Sequence, residues 1–122
     1  MSRQVLDESS LHPAIRDKVA NLNADIVHNV QAAAASNPVL VVGMALNAPG
    51  RAARKALAAA GVPYHYLEYG SYFGQWRRRN ALKMWTGWPT FPMIFVKGQL
   101  VGGANDLLKL IESGELKRLL GQ

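Results

Sequence analysis

Residues 88–103 read WPTFPMIFVKGQLVGG, and they constrain the fold more than any other segment of the chain. An apolar run at residues 93–96 and a second one at residues 100–101 flank the pair Lys97-Gly98. Two short apolar runs on either side of a two-residue turn are typical of a β-hairpin. This stretch therefore predicts two antiparallel strands joined by a tight turn.

The first half of the chain predicts a parallel strand–helix–strand unit. Residues 39–42 form a continuous branched apolar run, which is typical of a strand buried on both faces. After a short loop, the alanine-rich residues 51–60 predict a helix that ends at Gly61. The aromatic residues 62–69 predict a second strand, and a crossover of this kind joins parallel strands.

Three further helical regions complete the plan. Residues 13–36 predict one amphipathic helix, because a proline at position 13 suits a helix start. Its apolar residues recur at helical spacing, and they are Ile15, Val19, Leu22, Ile26 and Val30. Residues 73–85 predict a helix with its arginines on the exposed side. Residues 105–113 predict a closing helix, which Gly114 interrupts before a last turn at residues 116–120.

This order of elements describes a thioredoxin-like α/β fold. It is a three-layer sandwich with a central mixed four-stranded sheet, flanking helices and an extra N-terminal helix. A chain of 122 residues is long enough to bury one core without disulfide or metal cross-links. We expect residues 1–36 to form an N-terminal tail and amphipathic helix, and residues 37–120 to form the domain itself.

Across residues 37–120 the chain resembles the glutaredoxin family. The resemblance rests on the run Trp88-Pro89-Thr90-Phe91-Pro92, on the hairpin of residues 93–103 and on the helix after it, which contains Asp106-Leu107-Leu108. The chain is most similar to the monothiol branch, in which a tryptophan precedes the Pro-Thr-aromatic-Pro run. The resemblance implies glutathione as the ligand and glutathione-dependent disulfide oxidoreductase chemistry in the family.

The same resemblance implies a ligand site around a cis Phe91–Pro92 peptide. The amide and carbonyl of Phe91 would be free to pair with an extended peptide, and the backbone after Gly102-Gly103 would hold the γ-glutamyl end of glutathione. The ligand-binding residues that it implies are Arg79, Thr90, Phe91, Pro92, Gly103, Ala104 and Asn105. Two alternatives stay open, namely a rigid bend at Pro92 and a helix cap formed by Asn105.

Arg79 lies nine residues before Trp88, where the resemblance implies an arginine that pairs with the glycine carboxylate of the ligand through its planar fork. Lys83 is a second candidate contact. The net charge of +6 and the basic clusters at residues 51–55 and 77–83 would attract phosphates or carboxylates. The alternative is a solvated helix face. Nucleic acid is not an expected partner, because no recognition-helix motif accompanies these charges.

The chain contains no cysteine, although a thiolate is the nucleophile of thiol–disulfide exchange. Where the monothiol branch carries Cys-Gly-Phe-Ser, this chain has a degenerate active-site loop, Asn47-Ala48-Pro49-Gly50. The resemblance also implies a ligand-binding lysine after the first strand, where this chain has Met44 or Ala45. The loss of its charged hydrogen bond would weaken ligand binding. We therefore predict no catalytic residue, no metal site, no protein-ligated iron–sulfur cluster and no required cofactor, with glutathione as a ligand.

Three functions are compatible with these observations. The first is a binding or regulatory module for glutathione or an acidic peptide, without thiol catalysis of its own. The second is a glutathione-dependent oxidoreductase activity in cell redox homeostasis, with thiols supplied by the ligand or by a thiol-bearing partner protein. The third is a protein-interaction module that uses Trp85, Trp88 and the N-terminal helix while the pocket is inert. Since no apolar stretch approaches the ~20 residues of a membrane span, we expect a cytoplasmic protein with no membrane partner.

Overall fold

A computed structural model describes residues 2–122, which form six α-helices and four β-strands. The helices are α1 (Pro13–Asn21), α2 (Ala24–Ser36), α3 (Ala48–Ala59), α4 (Trp76–Thr86), α5 (Ala104–Glu112) and α6 (Glu115–Leu119). The strands are β1 (Val39–Gly43), β2 (His65–Glu68), β3 (Met93–Val96) and β4 (Gln99–Gly102). None of these helices is long and apolar enough to cross a membrane.

The four strands form one mixed sheet in the order β2-β1-β3-β4. β1 is parallel to β2, with Val41 opposite Tyr66, and antiparallel to β3, with Val41 opposite Ile94. β3 and β4 form the expected hairpin, and the turn residues Lys97 and Gly98 both have positive φ angles, of 53° and 82°. Positive φ at both central residues matches the twist of the flanking strands. The predicted hairpin and the predicted parallel unit are both confirmed.

Helices cover both faces of the sheet. On one face, α2 and α4 pack against alternate residues of β1 and β3, with Leu40 and Phe95 in the core. On the other face, α3, α5 and α6 pack against the intervening residues, with Val41 and Ile94 in the core. The strand β1 is buried along its whole length, as its continuous apolar run predicts. The predicted three-layer thioredoxin-like sandwich is confirmed.

The prediction of one continuous helix over residues 13–36 is wrong, because the structure divides this segment into α1 and α2. Asn23 adopts a left-handed conformation with a φ of 52°, which asparagine tolerates better than most residues and which a right-handed helix cannot contain. Only α2 packs on the sheet. Its apolar residues Ile26 and Val30 are therefore buried. The apolar residues Ile15 and Val19 of α1, and Leu22 directly after it, are exposed.

Two other helix boundaries differ from the prediction. α3 begins at Ala48 rather than at residue 51, because Asn47 caps it and Pro49 fits its first turn. α4 begins at Trp76 rather than at residue 73, because Gln75 has a positive φ of 58°, and Phe73 lies in a loop with 93% of its surface exposed. The division of the chain into residues 1–36 and 37–120 stays a prediction.

Candidate functional site

A groove with a volume of about 840 Å³ lies where the loop after β1, the start of α3, the loop before β3 and the start of α5 meet. Each of the ligand-binding residues predicted from the sequence lines it, namely Arg79, Thr90, Phe91, Pro92, Gly103, Ala104 and Asn105. Its volume lies within the range of roughly 300–1,000 Å³ that is usual for small-molecule sites. The fold therefore brings the predicted residues together, while their role in binding stays a prediction.

The wall formed by residues 88–92 offers a backbone with free hydrogen-bonding groups. The Phe91–Pro92 peptide is cis, as the resemblance implied. Neither the amide nor the carbonyl of Phe91 forms a backbone hydrogen bond within residues 2–122. The ring of Phe91 is buried, and the Lys83 ammonium lies 5.8 Å from its centroid. Polar backbone and a cation thus lie side by side on this wall.

The start of α5 forms a second wall, and its capping differs from the expectation. The Asp106 carboxylate accepts a hydrogen bond from the Gly103 amide at 3.0 Å, so Asp106 rather than Asn105 caps the helix. Asn105 is exposed in the first turn of α5. The alternative of a cap formed by Asn105 is therefore wrong, and Asp106 is a groove residue that the sequence interpretation left out.

Gly102 is required beside this cap for a steric reason. Its φ is 117°, and a Cβ atom at this position would lie 2.5 Å from Oδ2 of Asp106. Any other residue would strain the backbone and displace the carboxylate. The absence of a side chain at Gly102 thus leaves the space that the Asp106 carboxylate occupies at the groove.

Arg79 is buried, with only 7% of its surface exposed. Its Nη1 donates to the carbonyl oxygens of Tyr69 at 3.0 Å and of Gly74 at 2.5 Å. The prediction that α4 carries all its arginines on the exposed side is wrong for this residue, because the polypeptide between β2 and α4 folds over it. Arg79 therefore holds the loop of residues 69–75 in addition to lining the groove.

The neighbouring arginines of α4 have contacts outside the groove. Arg78 forms an ion pair with Asp25 of α2 at 3.0 Å, and Arg77 stacks on the ring of Trp76 with its guanidinium carbon 5.1 Å from the centroid. Lys83 is half-buried and lines the groove. Among the cations of α4, Arg79 and Lys83 therefore reach the groove, and Arg77 and Arg78 do not line it.

The segment predicted as a degenerate active-site loop is the N-terminal end of α3. Asn47 is buried, and its Oδ1 accepts a hydrogen bond from the Gly50 amide at 2.9 Å. Its Nδ2 lies 3.5 Å from the hydroxyl of Tyr72. Ala48 and Pro49 line the groove, whereas Gly50 is buried and does not. This end of the groove contains no thiol, because the chain has no cysteine, and Asn47 serves as a helix cap.

Tyr72 and the indole of Trp88 are further groove residues whose roles the sequence did not indicate. Tyr72 lies in an irregular loop, so no periodicity marks it. Trp88 belongs to the quoted motif, yet only the structure shows that its Nε1 is buried without a hydrogen-bond partner. Within residues 2–122 there is no group of three or more His, Cys, Asp or Glu side chains that could hold a metal ion.

Within the loop that Arg79 holds, the side chain of Tyr69 is buried. Burial raises the pKa of Tyr69 above its usual value, and the Arg78 guanidinium opposes this rise. The guanidinium carbon of Arg78 lies 5.6 Å from the centre of the Tyr69 ring.

Comparison with known proteins gives consistent similarities. The profile of the glutaredoxin family matches residues 49–101. A glutaredoxin-like protein of Dictyostelium discoideum is 42% identical over 102 residues, which cover 84% of this chain and 83% of that protein. The mitochondrial monothiol glutaredoxin-S4 of Oryza sativa subsp. japonica is 33% identical over 87 residues, which cover 70% of this chain and 47% of that protein.

Among solved structures, the buckwheat glutaredoxin–glutathione complex superimposes with a TM-score of 0.71. The match covers 82% of this chain and 91% of that one, at 22% identity. This likeness concerns the fold.

Proposed function

The chain belongs to the glutaredoxin family, and we propose that it is a binding or regulatory module whose groove takes glutathione or a closely related acidic peptide, without thiol catalysis of its own. The observation that carries the proposal is the set of groups that one groove brings together. These groups are the unpaired backbone of Phe91, the first turn of α5 and two cations of α4.

The middle of an extended peptide suits the Phe91 wall. A free amide and a free carbonyl on one residue can form two hydrogen bonds with a peptide backbone, as in strand addition. Each unpaired backbone group that is buried by a ligand needs such a partner. A peptide ligand supplies both partners at once, whereas a simple anion supplies only acceptors.

The two ends of glutathione suit the two polar ends of the groove. Its glycine carboxylate would face Lys83 and the guanidinium of Arg79. Its γ-glutamyl carboxylate would accept from the free amides of Ala104 and Asn105 in the first turn of α5, where anions are stabilised. The adjacent ammonium would face Asp106, which supplies the carboxylate that Asn105 lacks.

Catalysis by the protein itself is not part of this proposal. Thiol–disulfide exchange needs an attacking thiolate, and the chain contains no cysteine. The same absence removes the protein ligand of a cysteine-bound iron–sulfur cluster. A redox role would depend on thiols of the ligand or of a partner protein.

A protein-interaction module is a second candidate, and exposed aromatic side chains favour it. Tyr72, Phe73 and Trp76 are all exposed in the loop before α4 and at its start. The two tryptophans predicted for this role are less suitable, because both are half-buried and Trp85 stacks on Phe95 with 6.3 Å between ring centroids.

The proposed function is tested by calorimetric titration of glutathione and of its glycine ethyl ester, which lacks the carboxylate that Lys83 would pair with. We expect the ester to bind about tenfold more weakly to the wild-type protein, since a charged hydrogen bond contributes roughly 1.5–3 kcal/mol. We expect Lys83→Gln to make this difference in affinity smaller without abolishing it, because Arg79 still lines the groove. Lys55→Gln, an exposed position on α3 outside the groove, is the matched control and should behave as wild type. Absence of binding of glutathione at millimolar concentration contradicts the proposal.

A further inference from the structure

The groove has a third wall of apolar side chains, and the polar ends of glutathione do not use these side chains. We define this apolar wall as Ala48 and Ala52 of α3 with Ala104 and Leu108 of α5; all four residues line the groove. In each helix the two residues lie one turn apart on the same face. α3 and α5 pack against each other, so the two pairs form one continuous surface.

The apolar wall is open to a ligand. Ala48 and Ala52 are exposed, and Ala104 and Leu108 are partly exposed. Three of the four side chains are single methyl groups, which leave space above the helices. The groove volume of about 840 Å³ is near the upper end of the usual range of roughly 300–1,000 Å³, so a peptide with an additional substituent fits.

The thiol of a bound glutathione finds no thiol partner at this wall. The nearest polar side chain at the start of α3 is Asn47, whose Oδ1 is engaged by the Gly50 amide. The chain has no cysteine with which a disulfide could form. What the wall offers to the middle of the ligand is apolar carbon.

We infer that the apolar wall is a subsite for an apolar group attached to the sulfur of the bound peptide. The ligand class is that of glutathione thioethers with an alkyl or aryl substituent, bound without any covalent step. In the proposed placement, the backbone of the central cysteine of glutathione pairs with Phe91, and the two ends of the peptide lie at Lys83 and at α5. The side chain of that central residue then faces the apolar wall. This inference rests on the proposed function, because it assumes the same placement of the peptide.

The expected gain follows from burial of the substituent. Each methylene group that leaves water raises affinity roughly fourfold. Glutathione itself gains no affinity in this way, because it has no apolar group beyond its thiol. A glutathione thioether with a six-carbon alkyl group should therefore bind at least about tenfold more tightly than glutathione, even if the wall covers only part of the alkyl group.

The test compares glutathione, S-methylglutathione and S-hexylglutathione by calorimetry, with octanoate as an anionic apolar ligand that lacks the peptide. Affinity should rise from glutathione to the methyl and then the hexyl compound, and octanoate should bind more weakly than S-hexylglutathione. Ala52→Gln places a longer side chain over the apolar wall. Glutamine is uncharged and is compatible with a helix. This variant should lose the gain of the hexyl compound and keep the affinity for glutathione.

Ala58→Gln is the matched control, because Ala58 is an exposed alanine of the same helix outside the groove. It should bind every ligand as the wild type does, and equal thermal midpoints show that both variants are folded. Equal affinity of glutathione and its hexyl thioether would overturn the inference and leave the proposed function standing. A gain that survives in Ala52→Gln, or octanoate binding as tight as that of S-hexylglutathione, would overturn it too. No binding of any glutathione compound would contradict both proposals.

Discussion

The side-chain oxygen of Asn47 accepts a hydrogen bond from the backbone amide of Gly50 across 2.9 Å. This bond caps α3 in the segment where the resemblance to monothiol glutaredoxins implies the reactive cysteine. The start of the helix has therefore kept a group that satisfies its backbone, while the group that performs thiol exchange is absent from the chain. Helix capping and thiol chemistry are therefore separable in this segment.

The cap predicts how substitutions at Asn47 change stability. Asn47→Ala leaves the Gly50 amide without its partner and should lower the free energy of unfolding by about 1 kcal/mol. Asn47→Asp keeps an acceptor and adds a negative charge at a helix N-terminus. Because the site is buried, desolvation of the carboxylate opposes this gain, so its stability should lie between those of Asn47→Ala and the wild type. Urea denaturation of the three proteins checks this. Equal stability of Asn47→Ala and wild type would show that the cap contributes nothing.

The buried guanidinium of Arg79 predicts a large difference between neighbouring arginines. Arg79→Met removes the donor to two carbonyl oxygens, those of Tyr69 and Gly74, and a buried acceptor left unpaired costs about 1–3 kcal/mol. We expect a loss of about 2 kcal/mol or more in the free energy of unfolding. Arg77→Met, at an exposed position, should change it by less than about 0.5 kcal/mol.

Faster amide hydrogen exchange in the loop of residues 69–75 should accompany the loss in Arg79→Met. Similar stabilities of the two methionine variants would contradict the structural role of Arg79. Because Arg79 supports the fold as well as lining the groove, substitution of Lys83 is the cleaner test of ligand binding.

Tyr66 predicts a loss of stability at high pH. Burial raises the pKa of Tyr66 to about 12, and the hydrogen bond that its hydroxyl donates to Glu68 adds to this rise. The unfolded chain ionises near the ordinary value of 10.0, so above that pH ionisation favours the unfolded state. The contribution of neutral Tyr66 is complete below about pH 10 and is lost as pH rises towards about 12.

Urea midpoints measured along this pH range should fall more steeply for the wild type than for Tyr66→Phe, which cannot ionise at this position. Absorbance titration of the phenolates should show one late-ionising group fewer in Tyr66→Phe. Parallel pH profiles for the two proteins would contradict the raised pKa.

Restoring a thiol at the groove predicts covalent capture of glutathione. Ala48 is exposed at the first turn of α3 and lines the groove, and a helix N-terminus favours the thiolate. In Ala48→Cys the thiolate would attack one sulfur of oxidised glutathione, form a protein–glutathione disulfide and release one glutathione. Mass spectrometry should show this adduct about tenfold faster than in Ala58→Cys, an exposed control on the same helix. Equal rates would mean that the groove does not position the ligand.

The parts of the fold with strong local signals were predictable from the sequence. The apolar run of β1 and the Lys97-Gly98 turn each specify their own conformation, and the structure has both. The break between α1 and α2 was not predictable, because the apolar spacing continues through it. The helix is interrupted by the extended backbone of Leu22 and by the left-handed backbone of Asn23, which many asparagines do not adopt.

The site was predictable in its position and less so in its individual contacts. Motif residues such as Phe91 and Gly103 line the groove because the hairpin places them there. Three successive arginines of α4 look alike in sequence, yet Arg79 is buried and Arg77 is exposed, since burial depends on where the preceding loop folds. Likewise, the Asp106 cap depends on the backbone of Gly102, which the sequence alone does not give.

Binding of a glutathione-like peptide in the groove is tested most directly by a two-dimensional amide NMR titration with reduced glutathione. Saturable shifts should appear at Phe91, Gly103, Ala104 and Asn105. They should require higher ligand concentration in Lys83→Gln and be unchanged in Lys55→Gln. Absence of shifts at millimolar glutathione, or shifts confined to residues outside the groove, would contradict the assignment of this groove as a peptide-binding site.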